Sequence, residues 1–139
     1  SLPDHSSLFA KGDDVIKSAH QTYSYSKLGD AMFTKKLAQI LASQKDPRLK
    51  DIKCLTMDPG TVNTKMLLAG WGACGINVNK ANNTYKLAAT KYGAEQESGS
   101  YHFGGGDGGD ARDQKKLDSL WAELEVHTGC TYSDIDKNL

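Results

Sequence analysis

A tyrosine and a lysine four residues apart are the side chains best suited to chemistry in this chain. Tyr23 and Lys27 lie in the run TYSYSKLGDAMFTKKLAQIL, whose apolar residues recur at helical spacing. Residues four apart on a helix share one face, so the ammonium can favour the phenolate and lower the tyrosine pKa from its usual value of about 10. A tyrosine tuned in this way can pass a proton to or from a hydroxyl or carbonyl oxygen.

A second motif, DPGTVNT at residues 58–64, directly follows a short apolar run. That run, Ile52–Met57, is typical of a buried parallel strand that the Pro-Gly pair brings to an end. A glycine at this point lets the backbone approach a flat ring closely. Residues 58–64 are therefore either a loop that lies against such a ring or a simple turn at the end of the strand.

The remaining pattern predicts alternating helices and strands. We expect helices at Thr22–Ser43, Lys80–Tyr92 and from the cap Asp113 to His127, strands at Ile52–Met57 and Ser100–Phe103, and loops at Ser1–Gln21 and Gly70–Asn79. Gly93 and Gly129 would end the second and third helices. Gly29, inside the first helix, suggests that another backbone packs closely there.

The order helix, strand, helix, strand, helix predicts an α/β fold with parallel strands. Two strands do not form a stable sheet of this kind unaided. Their open edges normally pair with neighbours. The sequence therefore predicts a further partner for the sheet, either a preceding segment or another chain.

Four runs in this order resemble the short-chain dehydrogenase/reductase family, specifically its retinol-dehydrogenase-like branch; they are TYSYSKLGDAMFTKKLAQIL, IKCLTMDPGTVNT, SGSYHF and KKLDSLWAELEVHTG. The resemblance covers nearly the whole chain. It implies a carboxy-terminal half of a Rossmann-like, doubly wound parallel sheet that lacks the amino-terminal cofactor-binding half, with residues 1–139 as a single partial domain. In that family the glycine-rich phosphate turn and the residue that selects NAD or NADP would come before Tyr23.

The resemblance assigns catalytic roles to three residues. Tyr23 would be the proton donor and acceptor, and Lys27 would assist it while holding the nicotinamide ribose. Ser1 falls where the family places a serine that hydrogen-bonds the substrate oxygen; Ser6 and Ser7 fit that place less well.

The resemblance also assigns binding roles to the second motif and to the segment after it. The Val62 amide would hold the nicotinamide carboxamide, and the Thr64 hydroxyl would reach the carboxamide or the pyrophosphate. Pro59 and Gly60 would shape the loop against the NAD or NADP ring. Two residues of the substrate flap, Met66 and Trp71, would contact an apolar substrate; the alternative for both is a core or partner-facing role.

The implied activity is that of an NAD(P)-dependent oxidoreductase. Hydride would move between the nicotinamide and an alcohol or carbonyl carbon of a hydrophobic or lipid-like substrate. The enzyme would be a homo-oligomer. The isolated 139-residue chain would be inactive without the missing amino-terminal half or a partner chain. The alternative function is a non-catalytic half-domain that serves as a binding or oligomerisation module.

The run Gly104–Gly109 satisfies G-x-G-x-x-G but lacks the context of a dinucleotide turn. No helix opens directly from it, and three nearby carboxylates would repel phosphate; these are Asp107, Asp110 and Asp113. We expect a loop here, at most a weak cation site.

Composition narrows the function further. The 17 basic and 17 acidic residues give no electrostatic reason to expect nucleic acid. The four histidines have no ligand spacing, and the three cysteines, Cys54, Cys74 and Cys130, fit free thiols in a reducing compartment rather than a metal site. We expect an intracellular, cytoplasmic protein, with membrane association through a missing amino terminus left open. The longest apolar stretch, Met66–Ile76, is too short to span a bilayer.

Overall fold

The computed structural model describes residues 19–132, and every structural statement below concerns that range. Six α-helices, two short strands and two 3₁₀ turns follow one another in this order: α1 Ala19–Ala42, α2 Pro47–Lys50, β1 Thr56–Met57, α3 Lys65–Trp71, a turn at Val78–Lys80, α4 Asn83–Ala89, α5 Lys91–Ala94, β2 Tyr101–His102, a turn at Asp110–Arg112 and α6 Gln114–Thr128. The described part of the chain is thus mixed helix and sheet, as the alternating pattern predicts, and helix predominates in it.

The core lies where α1 packs against α6 and the turn before it. Its buried centre is Met32, which is fully inaccessible, with Ala111, Leu117 and Leu120 around it. Phe33 of α1 stacks on Trp121 of α6, with ring centroids 5.4 Å apart. Burial of these apolar side chains supplies the free energy that orders the two longest helices of the described residues.

Helix α6 begins where the sequence predicts and ends within one residue of the predicted end. The Asp113 carboxylate accepts hydrogen bonds from the amides of Lys115 and Lys116, which satisfies donors of the first turn. Gly129 adopts the left-handed conformation, with φ of 68°, that follows many helix ends. The helix ends at Thr128, one residue beyond the prediction.

The two strands pair in parallel, with Thr56 opposite Tyr101 and Met57 opposite His102. This parallel pairing confirms the prediction, although both strands are shorter than predicted. Upstream of β1, the Cys54 amide donates to the Ser98 side chain rather than to a strand, so the ladder begins only at Thr56.

The outer edge of β1 has no neighbour among residues 19–132. The hydrogen bonds to the β2 side involve the amides of Thr56 and Asp58. The backbone N–H and C=O groups of Leu55 and Met57 therefore face the other way, and no hydrogen bond in the described part of the chain satisfies them. Beside them lies an open groove of about 470 Å³, bounded by β1, α4 and α5.

The single helix predicted at Lys80–Tyr92 is wrong. The chain forms two short helices, α4 and α5, separated by Thr90 in an extended conformation. Gly93 does not end a helix but lies buried within α5. A Cβ atom at Gly93 would fall 1.6 Å from the carbonyl oxygen of Leu87, so α5 folds back onto α4 at a distance that only glycine permits.

Three smaller predictions also differ from the structure. The described part of α1 starts at Ala19, so Ala19–Gln21 is helical rather than loop, and the helix ends at Ala42. Gly29 has no atom of the described residues within 4 Å of a Cβ built on it, so no backbone packs there. The start of the predicted loop Gly70–Asn79 is helical, since Gly70 and Trp71 belong to α3. No helix within residues 19–132 combines the length and apolar character needed to cross a membrane.

The two glycines Gly93 and Gly29 give a matched stability test. We expect Gly93→Ala to lower the free energy of unfolding by about 2 kcal/mol or more, because the methyl group must displace the Leu87 backbone. Gly29→Ala should raise it by about 0.5–1 kcal/mol, because alanine is favoured within a helix and has room. Urea unfolding of both variants checks this, and equal effects would show that the α4–α5 contact is not tight.

Candidate functional site

Tyr23 and Lys27 lie on the same face of α1, as their spacing predicts. The Lys27 ammonium is 5.7 Å from the centroid of the Tyr23 ring. Tyr23 is 39% exposed, so a ligand in solution can approach it. The geometry leaves the ring and the cation together on an accessible surface, which is the arrangement a proton-transfer pair needs.

A tryptophan from another helix completes this face. Trp71, at the carboxyl end of α3, lies with its ring centroid 6.2 Å from that of Tyr23 and 4.7 Å, edge-on, from that of His20. Of the two predicted substrate residues, Trp71 therefore reaches Tyr23, whereas Met66 lies at the other end of α3 and is 57% exposed. Sequence reasoning missed His20, although its position three residues before Tyr23 places it on the same face.

Lys27 has a second partner that the sequence analysis missed. Its ammonium donates a hydrogen bond to the Asp30 carboxylate, at 3.0 Å, one turn further along α1. This hydrogen bond and the charge of Asp30 raise the pKa of Lys27 above its usual value. Lys27 therefore remains a cation beside Tyr23.

Tyr25 faces elsewhere, as predicted from the rotation of a helix. Its hydroxyl accepts a hydrogen bond from Gln21, at 2.7 Å, and its ring packs against the core around Met32. Tyr25 is thus a structural counterpart of Tyr23 within the same turn.

The loop after β1 is a turn held by its own side chains. The Asp58 carboxylate accepts from the Gly60 amide at 2.7 Å, and Asn83 donates to the Asp58 carbonyl at 3.0 Å. Gly60 has φ of 80°, a conformation that favours glycine. Pro59 and Gly60 are both exposed, so the turn presents backbone to the surface.

Within residues 19–132, the backbone N–H of Val62 is available as a hydrogen-bond donor. Its neighbours bridge to the chain beyond α3: the Ile76 amide donates to the Thr61 carbonyl and the Asn63 amide donates to the Ile76 carbonyl, both at 2.9 Å. In this parallel register the Val62 N–H points to the opposite side, and it meets no acceptor within residues 19–132. It can donate to a bound group.

Thr64 begins the next helix. Its side-chain oxygen accepts from the Leu67 amide at 3.3 Å and so caps α3, while its hydroxyl hydrogen can still be donated. In the described chain no hydrogen bond joins Tyr23 or Lys27 to residues 59–64, and the contact of Trp71 with Tyr23 connects the two parts of the candidate site.

The flap, defined here as residues 64–74, is closed at its base by Asn63. The Asn63 side chain accepts from the Gly75 amide and donates to the Gly75 carbonyl, both at 2.8 Å. A Cβ atom at Gly75 would lie 2.6 Å from the Thr61 carbonyl oxygen, so only glycine allows this approach. Nothing in the local pattern of the sequence indicates this pairing across 12 residues.

Ser1, the third predicted catalytic residue, lies outside the described residues, as do Ser6 and Ser7.

The glycine-rich loop is packed against α1 through its charges. Asp107 pairs with Lys35, at 3.5 Å, and with Arg112, at 3.0 Å. The loop leads into a 3₁₀ turn rather than directly into a helix, so the architecture of a dinucleotide turn is absent from it. The other two carboxylates are also engaged: buried Asp110 pairs with Lys116, and Asp113 caps α6.

The remaining candidate groups have structural partners. His102 is buried, with its two ring nitrogens 3.1 Å from the Tyr92 hydroxyl and 2.7 Å from the Ser100 hydroxyl. The three cysteines are free thiols, and burial raises the pKa of Cys54, which makes its thiolate scarcer. In the part of the chain described, no group of three or more His, Cys, Asp or Glu side chains could hold a metal ion.

Comparisons of this chain with protein-family models, curated proteins and solved structures gave no match.

The base of the flap can be tested by removing its side-chain bridge. We expect Asn63→Ala to speed amide hydrogen exchange at Gly75 by about tenfold, equivalent to about 1.4 kcal/mol, because Gly75 loses its acceptor. Asn79→Ala is the control, since Asn79 is exposed and lies outside the bridge. Unchanged protection at Gly75 in the Asn63 variant would show that the bridge does not hold the flap.

The pairing of Asp107 predicts a pH-dependent stability. Burial raises the pKa of Asp107, but the Arg112 hydrogen bond and the charges of Lys35 and Arg112 outweigh it and hold the pKa below its usual value of 3.8. A lowered carboxyl pKa stabilises the fold above the unfolded value, and this stabilisation is lost as the pH falls through the folded value. Asp107→Asn should therefore cost about 1 kcal/mol at neutral pH and nothing well below pH 3.8.

Urea unfolding at the two pH values measures this difference. Asp51→Asn is the control, because Asp51 is an exposed carboxylate without an ion pair in the described chain. A loss of equal size at both pH values in the Asp107 variant would contradict the ion-pair explanation.

Proposed function

We propose that this chain is the carboxy-terminal half of the catalytic domain of an NAD(P)-dependent short-chain dehydrogenase/reductase, similar to the retinol-dehydrogenase-like branch, with a Rossmann-like sheet completed by a preceding half. The observation that carries the proposal is the accessible Tyr23 ring, with the Lys27 ammonium 5.7 Å from its centre and Trp71 beside it. The resemblance of the sequence motifs supplies the reaction.

Tyr23 would transfer the proton of this reaction. When bound, the nicotinamide supplies hydride to a carbonyl carbon, or accepts it from an alcohol carbon. Tyr23 donates its phenolic proton to the carbonyl oxygen during reduction, and its phenolate takes the proton from the hydroxyl during oxidation. The Lys27 ammonium, which is hydrogen-bonded to Asp30, lies beside the ring that would carry the phenolate.

The described residues fit the nicotinamide end of the cofactor. The unpaired Val62 N–H can donate to the carboxamide oxygen, the exposed turn at Pro59 and Gly60 can lie against the ring, and the Thr64 hydroxyl can donate to an oxygen nearby. Lys27 has further ammonium hydrogens for the ribose hydroxyls. The glycine-rich loop at residues 104–109 does not fit the phosphates, because it contains the carboxylate of Asp107 and leads into a 3₁₀ turn rather than directly into a helix.

The substrate would be hydrophobic. Trp71 covers one side of Tyr23 with an apolar ring, and Met66 lies exposed on the same helix. An alcohol or carbonyl compound with a long apolar portion could place its oxygen at Tyr23 and its chain along α3.

A second candidate function is a binding or oligomerisation module without catalysis. The edge of β1 that has no neighbour within residues 19–132 favours it, because the backbone groups of Leu55 and Met57 on that edge can pair with another strand. The same edge serves the first proposal, in which the preceding half supplies that strand. The second candidate would be favoured if the chain associates stably with itself and Tyr23 has no role in catalysis.

Tyrosine substitutions test the proposed chemistry. In a protein where this chain follows a cofactor-binding half, we expect Tyr23→Phe to lower the rate of NAD(P)H-dependent carbonyl reduction by about 10²–10⁴ while cofactor affinity hardly changes. Tyr25→Phe is the control: it removes a hydroxyl from the same turn but keeps the ring in the core. Full turnover by the Tyr23 variant would overturn the assignment.

The chain by itself provides an independent test of the half-domain proposal. Because residues 19–132 fit only the nicotinamide end, we expect no saturable micromolar binding when NADH or NADPH is titrated and followed by cofactor fluorescence. Such binding would require a phosphate site within these 139 residues and would contradict the proposal.

A further inference from the structure

One stretch of the chain combines exposed apolar side chains with unopposed positive charge. Residues 59–94 contain four lysines, Lys65, Lys80, Lys86 and Lys91, and no aspartate or glutamate. The chain is neutral as a whole, so the rest of it has a net charge of −4. Only Lys91 has a carboxylate partner in the described chain, the exposed Glu95 just beyond the stretch.

The same stretch exposes most of the large apolar side chains that lie outside the core. Seven of the thirteen exposed large hydrophobic residues in the described chain belong to it: Met66, Leu68, Trp71, Ile76, Val78, Tyr85 and Tyr92. Their exposed fractions range from 42% to 66%. So many exposed apolar side chains in one stretch, with lysines between them in the sequence, are unusual for a protein that contacts only water.

Helix α3 shows this most clearly. From Met66 to Trp71 it has no polar side chain, yet none of its residues is buried. A helix that is apolar on all sides is normally covered. The Asn63–Gly75 bridge holds the base of the flap, so α3 is presented rather than left to collapse onto the core.

We propose that residues 65–86 form a docking surface for an anionic lipid bilayer. Lys65, Lys80 and Lys86 would meet acidic headgroups, while Met66, Leu68 and Trp71 enter the boundary between headgroups and acyl chains. Tryptophan is favoured at that depth. The chain would lie on the membrane, since none of its described helices can span one.

Charge favours the bilayer over a symmetric dimer of this chain. Two copies that met through this surface in a symmetric dimer would bring the same lysines together, and like charges oppose such a contact. An anionic bilayer instead offers both the opposite charge and an apolar layer. This proposal does not depend on the dehydrogenase activity.

Vesicle binding by the full chain tests the proposal. We expect the chain to float with vesicles of phosphatidylcholine containing about 30% phosphatidylserine, to bind pure phosphatidylcholine at least about tenfold more weakly, and to dissociate as salt is raised. Trp71 emission should shift to the blue and be quenched by brominated acyl chains, whereas Trp121 is 7% exposed and should not respond. Absence of binding, or equal binding to both vesicles, would overturn the proposal.

Paired variants locate the surface. Met66→Ser with Leu68→Ser should reduce vesicle binding about tenfold or more, whereas Val126→Ser, which removes a 78% exposed apolar side chain from α6, should not. Lys65→Gln with Lys80→Gln should reduce it similarly, whereas Lys50→Gln with Lys115→Gln should not. Equal losses in the controls would overturn the location.

Self-association provides the last test. In sedimentation without lipid, we expect no oligomer that buries Trp71 at the concentrations used for flotation. An oligomer that buries Trp71 and is disrupted by the Met66 and Leu68 changes would show that a second copy covers α3, and the proposal would fall.

Discussion

The burial of Met32 against Ala111, Leu117 and Leu120 is the interaction on which the rest of the structure depends. It fixes α1 against α6, and α1 presents Tyr23 and Lys27 on another part of its surface. The same contact brings the chain before α6 onto α1, where Lys35 pairs with Asp107 and orders the glycine-rich loop. The rigidity of the candidate site therefore depends on this helix pair. Outside α1, the described ring contact of Tyr23 is with Trp71, which is itself exposed.

Features decided by neighbouring residues could be predicted from the sequence. The cap at Asp113, the left-handed Gly129 and the shared face of Tyr23 and Lys27 each depend on spacings of four residues or fewer, or on the conformational preference of one residue. The parallel pairing of β1 and β2 also followed from the alternation of elements, because that order leaves few topologies open.

Features decided by distant residues could not be predicted. Gly93 was assigned to a helix end because glycine is common there, but its real constraint is the Leu87 carbonyl, which the fold brings to 1.6 Å from its hypothetical Cβ. The Asn63–Gly75 bridge and the approach of Trp71 to Tyr23 likewise depend on how residues 64–74 leave and rejoin the body of the protein. No spacing in the sequence encodes either contact, so the candidate site was predicted by residue type and completed only by the structure.

The net charge of the whole chain hides how the charges are distributed along it. A formal charge of zero gives no electrostatic reason to expect an anionic partner, yet it is the sum of a cationic stretch, residues 59–94, and an acidic remainder. Charge alone would suit that stretch to any polyanion. The apolar side chains between the lysines discriminate further: a nucleic-acid backbone would pair with Lys65 and Lys80 but leave Met66 and Leu68 in water. A lipid surface can pair with the lysines and also cover the apolar side chains, because its charged headgroups and its acyl chains lie within one helix diameter of each other.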